Sequence, residues 1–192
     1  MILLTFLYTT IIMSLIWARF RFFTIGSTKS RLSSYLYDPV VAVQIISTYY
    51  FLLTFNGSSW YAIAGVAVVY LFALAFFWWS IVTANELNFA FSPNAGMVIT
   101  NGPFALIRHP FYGSYSLVWL SSTLLFNSWV LWITLVYLVA FYFTSAKDEE
   151  KVILESSLAK EYRTYSENTG MFLPRIKQWK SWILELSKKK KK

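Results

Sequence analysis

The side chains best suited to chemistry stand in two short charged stretches beside apolar runs. The first stretch, "RHPFY", covers residues 108–112 and contains the only histidine of the 192 residues. The second, "KDEEK", covers residues 147–151 and holds three carboxylates between two lysines. A guanidinium, an imidazole and carboxylates bind charged ligands through charge-assisted hydrogen bonds. The two stretches are therefore the candidate site, if the fold brings them together.

Each charged group alone has a simpler explanation. Arginine and lysine at helix ends are the usual cytoplasmic anchors of a membrane protein, so Arg108 and Lys147 need no further role. The acidic residues are equally consistent with a solvated helix extension, and a lone histidine is more often structural than catalytic. Only the combination favours a functional site. The acidic residues in question are Asp148, Glu149 and Glu150.

The composition indicates a membrane protein. Hydrophobic residues make up 57% of the chain and charged residues 14%, with a mean hydropathy of +0.50, whereas soluble domains contain about 25% charged residues. Cysteine is absent, so neither a disulfide framework nor a thiolate site is expected. With one histidine and scattered carboxylates, we expect no metal site. The first apolar segment lacks the features of a signal peptide, and we expect it to be retained as a span.

Five apolar segments approach the length of a membrane span, which is roughly 20 residues. The pair Asp38 and Pro39 is expected to start the second segment, and "NGSS" at residues 56–59 to turn it into the third. Only Asn127 and Ser128 separate the fourth from the fifth, which predicts a tight helical hairpin with a short first arm. The fold class is thus an all-α polytopic membrane protein. The segments are 2–18, 39–55, 60–82, 111–126 and 129–146.

We expect one membrane domain with a single orientation. Residues 1–82 supply three structural spans, residues 83–176 supply the connector, the hairpin and a C-terminal segment, and residues 177–192 form an amphipathic basic tail. With these spans, all 17 lysines and arginines fall on one side of the membrane. The positive-inside rule then predicts an N-terminus outside and a cytoplasmic C-terminus and site.

Two amphipathic stretches follow the fifth span. Spacings of three and four residues predict one helix face formed by Leu154, Leu158, Tyr162 and Tyr165. A second stretch contains Trp179 and Trp182 and runs into the lysines at 188–192. Tryptophan beside a polybasic tail suits an anionic membrane surface. The lysines are equally consistent with a solvated end or an expression remnant.

The connector between the third and fourth spans, residues 85–113, is too long for a simple link and too apolar for disorder. Within it "TNGPF", residues 100–104, predicts a tight turn. Arg108 and His109 follow this turn and precede Pro110, which is expected to start the fourth helix. Since the fourth and fifth helices form a hairpin, "KDEEK" is expected to lie close to "RHPFY".

These motifs, in this order, resemble those of the isoprenylcysteine carboxyl methyltransferase family and its phospholipid methyltransferase relatives. The resemblance covers residues 96–176 and rests on "GMVITNGPFALIRHPFYGSY", the hairpin and "DEEKVILESSLAKEYRTYSENTGMFLPRI". It implies an integral membrane enzyme that uses S-adenosylmethionine in a pocket built from the connector and the cytoplasmic ends of the hairpin. The cofactor-binding residues that it implies are Gly96, Met97, Val98, Ile99, Phe104, His109, Pro110, Phe111, Tyr112 and Glu150.

The chemistry of these residue types suits that cofactor. Glu150 can pair with its ammonium group, and Arg108, His109 or backbone N–H groups with its carboxylate. The aromatic residues of the set can surround the adenine and the sulfonium. No covalent nucleophile is expected, because methyl transfer needs alignment and exclusion of water; Arg108 and Glu149 are assigned positioning roles. No glycine-rich loop follows a strand, which excludes the dinucleotide-type fold of soluble methyltransferases.

The chain departs from the family pattern at three positions that bear on the acceptor. Relatives carry a histidine at the position of Gly96 and a tyrosine at that of Phe104. The arginine that binds the substrate carboxylate in eukaryotic members falls on Ala146, and the adjacent Lys147 is a candidate substitute.

The expected activity is methyl transfer to a lipid or to a lipidated small molecule or peptide. A prenylcysteine carboxylate is the first choice of acceptor and a phospholipid amine the second. Two further interpretations stay open: an NADPH-dependent double-bond reductase of the sterol-reductase type, and a membrane scaffold without activity. The membrane is the expected environment, no nucleic-acid partner is expected, and the sequence does not indicate an oligomeric state.

Overall fold

A computed structural model describes residues 1–21, 32–54, 57, 59–85 and 98–175. Within these ranges the regular structure is helical, and one isolated parallel bridge joins Ile107 to Gly170. The predicted all-α class is therefore confirmed. The helices are α1 (Ile2–Arg21), α2 (Leu32–Thr54), α3 (Trp60–Asn85), α4 (Pro103–Leu106), α5 (Pro110–Phe126), α6 (Trp129–Leu154) and α7 (Ala159–Asn168).

Four of the described helices, α1, α2, α3 and α6, are long and apolar enough to cross a membrane. Helix α5 has 17 residues, or about 25 Å at 1.5 Å per residue, and is shorter than the hydrocarbon core of about 30 Å. Helix α5 packs against α2, α3 and α6. The prediction of about five helices, one of them short, is thus confirmed.

Polar side chains join the apolar helices across the bundle. The hydroxyls of Tyr70 on α3 and Ser122 on α5 lie 2.6 Å apart, and both residues are buried. On the next interface, Trp119 Nε1 of α5 donates to the hydroxyl of Tyr142 on α6 at 3.1 Å. Because no water competes for such groups in the membrane, these bonds fix the pairing of α5 with its neighbours.

The start of the second span differs from the prediction. Helix α2 begins at Leu32, so Pro39 lies inside the helix and does not begin it. A proline in a helix interior removes one backbone hydrogen bond and costs about 3 kcal/mol in water. Membrane helices tolerate it, because neighbouring groups and small adjustments satisfy the freed carbonyl. Proline therefore does not mark a helix start here.

The hairpin prediction is confirmed. Helix α5 ends at Phe126 and α6 begins at Trp129, so Asn127 and Ser128 form the whole turn. Asn127 adopts the left-handed conformation, with φ 47° and ψ 38°, which asparagine tolerates better than most residues. Its side-chain oxygen accepts a hydrogen bond from Trp132 Nε1 at 2.9 Å. This contact ties the turn to the first helical turn of α6.

The C-terminal amphipathic stretch is two elements rather than the single helix predicted. Helix α6 continues to Leu154, eight residues past the predicted end of the span, and α7 begins only at Ala159. Ser156 interrupts the helix, because its Oγ donates to the carbonyl of Ile153 at 2.7 Å and accepts from the backbone N–H of Leu158 at 3.2 Å. Serine side chains compete with helical backbone bonds in this way.

The predicted turn in the connector is confirmed, and glycine is required in it. Gly102 has φ 55°, and the turn is closed by the N–H groups of Phe104 and Ala105, which donate to the carbonyls of Asn101 and Gly102 at 3.1 Å each. A Cβ at Gly102 would lie 2.7 Å from Thr83 Oγ1. The turn therefore packs directly on α3 and leads into the single helical turn of α4.

Candidate active site

The two charged stretches meet at the open end of the α5–α6 hairpin. Nε of Arg108 donates to Oε1 of Glu150 at 2.8 Å, and Nε2 of His109 lies 3.0 Å from the same oxygen. The exposed fraction of the side chain is 9% for Arg108 and for His109, and 14% for Glu150. The predicted proximity of "RHPFY" and "KDEEK" is thus confirmed, and Glu150 points at His109 rather than into bulk water.

Arg108 connects α6 to the C-terminal end of α7. Besides its ion pair with Glu150, its Nη1 donates to the carbonyl oxygens of Ser166 at 3.2 Å and Thr169 at 2.5 Å. Burial lowers the pKa of Arg108, but the hydrogen bond and the charge of Glu150 outweigh this effect and raise the pKa above its ordinary value. The guanidinium is therefore a permanent cation within the site.

Backbone contacts hold the connector against the segment that follows α7. The N–H groups of Arg108 and His109 donate to the carbonyl oxygens of Gly170 at 2.9 Å and Met171 at 3.2 Å. Only glycine fits at position 170, since a Cβ there would lie 1.9 Å from the carbonyl oxygen of Leu173. These contacts fix the direction of both charged side chains, because their own backbone is held.

His109 lies between two carboxylates. Its Nδ1 is 3.4 Å from Oε2 of Glu149, while its Nε2 faces Glu150. An imidazole with an acceptor at each nitrogen is best satisfied when both nitrogens carry hydrogen. Burial lowers the pKa of His109, but the hydrogen bonds and charges of Glu149 and Glu150 outweigh burial and raise the pKa above 6.5. Glu149 and Glu150 therefore shift the protonation balance of His109 towards the imidazolium form.

Glu149 and Tyr112 form the wall of the site that faces the bundle. The Tyr112 hydroxyl donates to Oε1 of Glu149 at 2.5 Å. The Tyr112 ring is stacked with the ring of His109 at 5.9 Å between centroids and with that of Tyr142 at 5.1 Å. The aromatic stack continues the site into the membrane-spanning part of the protein and fixes the orientation of Tyr112.

The remaining residues predicted to bind a cofactor are placed less directly. Gly96 and Met97 lie outside the described residues. Ile99 and Phe104 are buried with Ala84 in a small apolar cluster, against which Phe111 packs. Pro110 is buried at the start of α5, and Val98 is half-buried. Of the predicted set, His109, Tyr112 and Glu150 are therefore the members found in the ion-paired cluster.

Residues of α7 belong to the site although the sequence indicated them only as an apolar helix face. Tyr162 interacts with both Glu150 and Arg108, and burial together with the charge of Glu150 raises the pKa of Tyr162. Tyr165 donates from its hydroxyl to the carbonyl of Phe104 at 2.6 Å. The spacing of the two tyrosines in "EYRTY" indicated that they share one helix face. This periodicity did not indicate that their hydroxyls reach the connector.

Lys147 borders the site through aromatic rings. Its Nζ lies 4.4 Å from the centroid of the Phe143 ring. Phe172 is next to Phe143 at 6.4 Å and to His109 at 5.9 Å. Ala146, by contrast, is fully buried. A long cationic side chain at position 146 would therefore have no room, whereas that of Lys147 is exposed beside the site.

A separate open groove of about 670 Å³ lies between the connector and α7. Thr100 and Ala105 contribute one wall, and residues between Ser157 and Thr169 contribute the other. No residue that the sequence predicted to bind a cofactor is among those that line it. Thr169 lies between the groove and Arg108, since it lines the groove and its carbonyl accepts a hydrogen bond from Arg108.

The fold and the site together define a polytopic membrane protein with an ion-paired site at one end of a helical hairpin. A family model described as the isoprenylcysteine carboxyl methyltransferase (ICMT) family matches residues 65–155. The resemblance inferred from the sequence is therefore confirmed over this segment, which includes both RHPFY and KDEEK; residues 156–176, with α7, lie beyond it. The match and the apolar helices support a membrane methyltransferase. A comparison with curated proteins found no match to this chain.

Proposed function

We propose that this protein transfers a methyl group from S-adenosylmethionine to a lipid-like acceptor, with the carboxylate of a prenylcysteine-type substrate as the first choice. The observation that carries the proposal is the contact of His109 and Arg108 with Glu150, inside the segment that matches the methyltransferase family. The contact joins the two stretches that the family resemblance assigns to one pocket.

The donor set fits the proposed cofactor. S-adenosylmethionine carries an ammonium, a carboxylate and a sulfonium, and it supplies an electrophilic methyl group when bound. Glu149 and Glu150 are acceptors for the ammonium, and Arg108 and His109 are donors for the carboxylate. Such charge-assisted hydrogen bonds are stronger than neutral ones, particularly when the side chains are shielded from water as they are here.

The residues of the chain would act by binding and by excluding water. In-line displacement at a methyl carbon requires alignment of the reacting atoms, and holding two reactants in that geometry supplies much of the rate enhancement. The backbone bonds from Arg108 and His109 to residues 170 and 171 hold the polar side chains in fixed directions. The stack of His109, Tyr112 and Tyr142 keeps the membrane side of the cluster apolar.

Lys147 is the proposed contact for the carboxylate of the acceptor. Its ammonium is exposed at the edge of the site, and the rings of Phe143 and Phe172 lead from it to His109. A carboxylate is nucleophilic at neutral pH without a base, so the acceptor needs a positive group to orient it rather than to deprotonate it. An amine acceptor would instead need a group that takes up its proton.

The cytoplasmic location of the site also belongs to this proposal. The ion pair between Arg19 and Asp38, at 3.7 Å, places the charges at the end of α1 beside α2. The sequence that connects α2 to α3 and the turn of Asn127 and Ser128 contain no charged residue, and both connect the opposite ends of these helices. The charge asymmetry supports a cytoplasmic site by the positive-inside rule.

The primary test is isothermal titration of S-adenosylmethionine into the detergent-purified full chain. We expect saturable binding, and we expect the variant Thr164→Trp, which fills the open groove, to bind equally well. If the unmodified protein binds S-adenosylmethionine and Thr164→Trp does not, the methyl donor binds in the groove rather than in the ion-paired cluster. No binding to the unmodified protein, with tight binding of NADPH, would replace the proposal with the reductase interpretation.

The acceptor is tested by transfer of a labelled methyl group. A farnesylcysteine analogue and phosphatidylethanolamine are offered in parallel, in detergent micelles of the same composition. Label in the former supports carboxyl methylation, and label only in the latter supports phospholipid amine methylation. Donor binding without transfer to either would contradict both choices of acceptor.

A further inference from the structure

We propose that residues 171–174, "MFLP", form a loop that inserts into the membrane beside α6 and contacts lipid acyl chains. The loop follows α7 and lies beyond the segment that matches the family model. The proposal concerns how this end of the bundle meets the bilayer, so it does not depend on the proposed reaction or on its cofactor.

The loop presents an apolar side chain at its tip. A Cβ at Gly170 would lie 1.9 Å from the carbonyl oxygen of Leu173, so the chain turns back on itself within four residues. Leu173 is 79% exposed, whereas Met171 and Phe172 are half-buried. A single exposed leucine on a protein surface needs no explanation by itself. This one follows Phe172 directly, and the contact of Phe172 shows which surface the loop lies against.

Phe172 packs on a face of α6 that is turned towards lipid. The ring centroids of Phe172 and Phe143 are 6.4 Å apart. Phe143 is 44% exposed and continues a row of exposed apolar side chains on α6, with Val136 and Val139 before it. Spacings of three and four residues place these side chains on one face, and α6 is long and apolar enough to cross a membrane. The loop therefore extends a lipid-facing surface.

The depth of this contact follows from the length of α6. The helix begins at Trp129, which is 73% exposed, and tryptophan is typical of the membrane interface. Phe143 comes 14 residues later, which is about 21 Å along the axis at 1.5 Å per residue. The hydrocarbon core is about 30 Å thick, so Phe143 lies within it, and a tilted helix would place Phe143 deeper still. A loop that packs on Phe143 thus reaches the acyl chains.

The backbone of the loop suits this environment. Irregular backbone at membrane depth is tolerated where the protein itself shields it, because lipid offers no hydrogen-bond partner. The carbonyl oxygens of Gly170 and Met171 accept from the N–H groups of Arg108 and His109 at 2.9 and 3.2 Å. Pro174 has no N–H group that needs a partner. These features reduce the cost of placing the loop against lipid.

Cationic side chains border the loop. Lys147 lies one turn after Phe143 on α6, with its Nζ 4.4 Å from the centroid of the Phe143 ring. Arg175 follows Pro174, and its Nη1 donates to the carbonyl of Glu167 at 2.6 Å. Long cationic side chains beside an apolar surface keep their charged ends at the level of the lipid headgroups. An apolar tip with a cationic rim is the pattern of a segment that enters one leaflet only.

Insertion of the loop brings the bilayer to the edge of the ion-paired site. Phe172 lies between Phe143 and His109, and its ring centroid is 5.9 Å from that of the imidazole. One aromatic ring thus separates His109 from the lipid-facing side of α6. A hydrocarbon chain that lies against Phe143 is close to the site while it remains in the membrane.

The test uses a fluorescent label on single cysteines, since the natural sequence has none. The full-length variants Leu173→Cys, Val139→Cys and Lys160→Cys are labelled with a nitrobenzoxadiazole probe and placed in phosphatidylcholine nanodiscs. Val139 is the lipid-facing reference on α6, and Lys160 is the exposed reference on α7. The label on Lys160→Cys also shows whether the probe enters the membrane by itself. The quenchers are a nitroxide on a lipid acyl chain and iodide in the water.

We expect the label at position 173 to emit at a shorter wavelength than the label at position 160. The nitroxide should quench it about as strongly as the label at position 139, and it should be protected from iodide. Quenching by iodide alone would show that the loop lies in water. Protection from both quenchers would show that the protein itself covers position 173, for instance with residues 176–192. Either of these two results overturns the proposal, and neither affects the binding of S-adenosylmethionine on which the proposed function is judged.

Discussion

The hydroxyl of Tyr165 donates a 2.6 Å hydrogen bond to the carbonyl oxygen of Phe104, a residue 61 positions earlier in the chain. The bond joins α7 to the single turn of α4 and lies in a buried position. Arg108 lies two residues after the end of α4, and its guanidinium reaches the carbonyls of Ser166 and Thr169 at the end of α7. Tyr165 and Arg108 thus hold the connector to α7 at two places, one in α4 and one in the short segment between α4 and α5.

Tyr165→Phe should destabilise the protein without abolishing the fold. The ring stays, but the carbonyl of Phe104 loses the hydrogen bond from Tyr165, and a buried hydrogen bond contributes about 0.5 to 1.5 kcal/mol to stability. The free energy of unfolding in detergent should fall by that amount. The matched control is Tyr61→Phe, because Tyr61 is 70% exposed on α3. Equal stability of the two variants would contradict the role assigned to the Tyr165 hydroxyl.

Gly170→Ala should be strongly destabilising, whereas Gly65→Ala should be nearly neutral. The Cβ of an alanine at position 170 would lie 1.9 Å from the carbonyl oxygen of Leu173, and the backbone there holds the N–H of Arg108. At Gly65 nothing lies within 4 Å of the added atom. Thermal unfolding of both variants in the same detergent checks this. A neutral Gly170→Ala would show that the segment after α7 does not need its close approach.

The sequence predicted those features that depend on local or compositional signals. Apolar length gave the spans, and the pair Asn127 and Ser128 gave the hairpin, because a turn of two residues forces neighbouring antiparallel helices. The hairpin in turn predicted that Glu150 would lie near His109, as it does at 3.0 Å. One long-range contact of the site thus followed from one local turn.

The features that the sequence did not predict depend on tertiary contacts. Pro39 suggested a helix start, yet α2 continues through it because packing in a membrane compensates the lost hydrogen bond. The break after Leu154 depends on Ser156 bonding to its own backbone, which serine does only in some contexts. The reach of Arg108 to the carbonyls of Ser166 and Thr169 has no sequence signal, since backbone acceptors exist at every residue.

The stability that His109 contributes should depend on pH with a definite sign. The pKa of His109 is raised in the folded protein above 6.5, because Glu149 and Glu150 favour the imidazolium more than burial opposes it. The contribution is therefore fully present below about pH 6.5, and it is lost as the pH rises through the raised value. Unfolding of the unmodified protein and of His109→Gln, measured from pH 5.5 to 9, should converge at high pH. A difference that grows with pH would contradict the imidazolium assignment.

The orientation of the chain in the membrane can be measured with single cysteines, since the natural sequence has none. Ser59→Cys lies in the uncharged loop before α3, and Lys160→Cys lies on the exposed side of α7. In right-side-out vesicles, a maleimide that cannot cross the membrane should label the Ser59 variant at once and the Lys160 variant only after permeabilisation. The reverse pattern would place the site outside.

Lys147→Gln should weaken the binding of a carboxylate acceptor and leave that of the methyl donor unchanged. Lys147 reaches the site only through the rings of Phe143 and Phe172, and it makes no ion pair with Glu149 or Glu150 among the described contacts. Loss of one partly exposed charge contact should raise the KM for a farnesylcysteine analogue by about tenfold, which corresponds to about 1.4 kcal/mol. The donor affinity, measured by titration, should stay the same.

Lys151→Gln is the matched control, because Lys151 follows one turn later on the same helix and pairs with Glu155 at 3.9 Å. Equal KM values for the two variants would remove Lys147 from the acceptor site, and a fall in donor affinity would assign it to the cofactor instead.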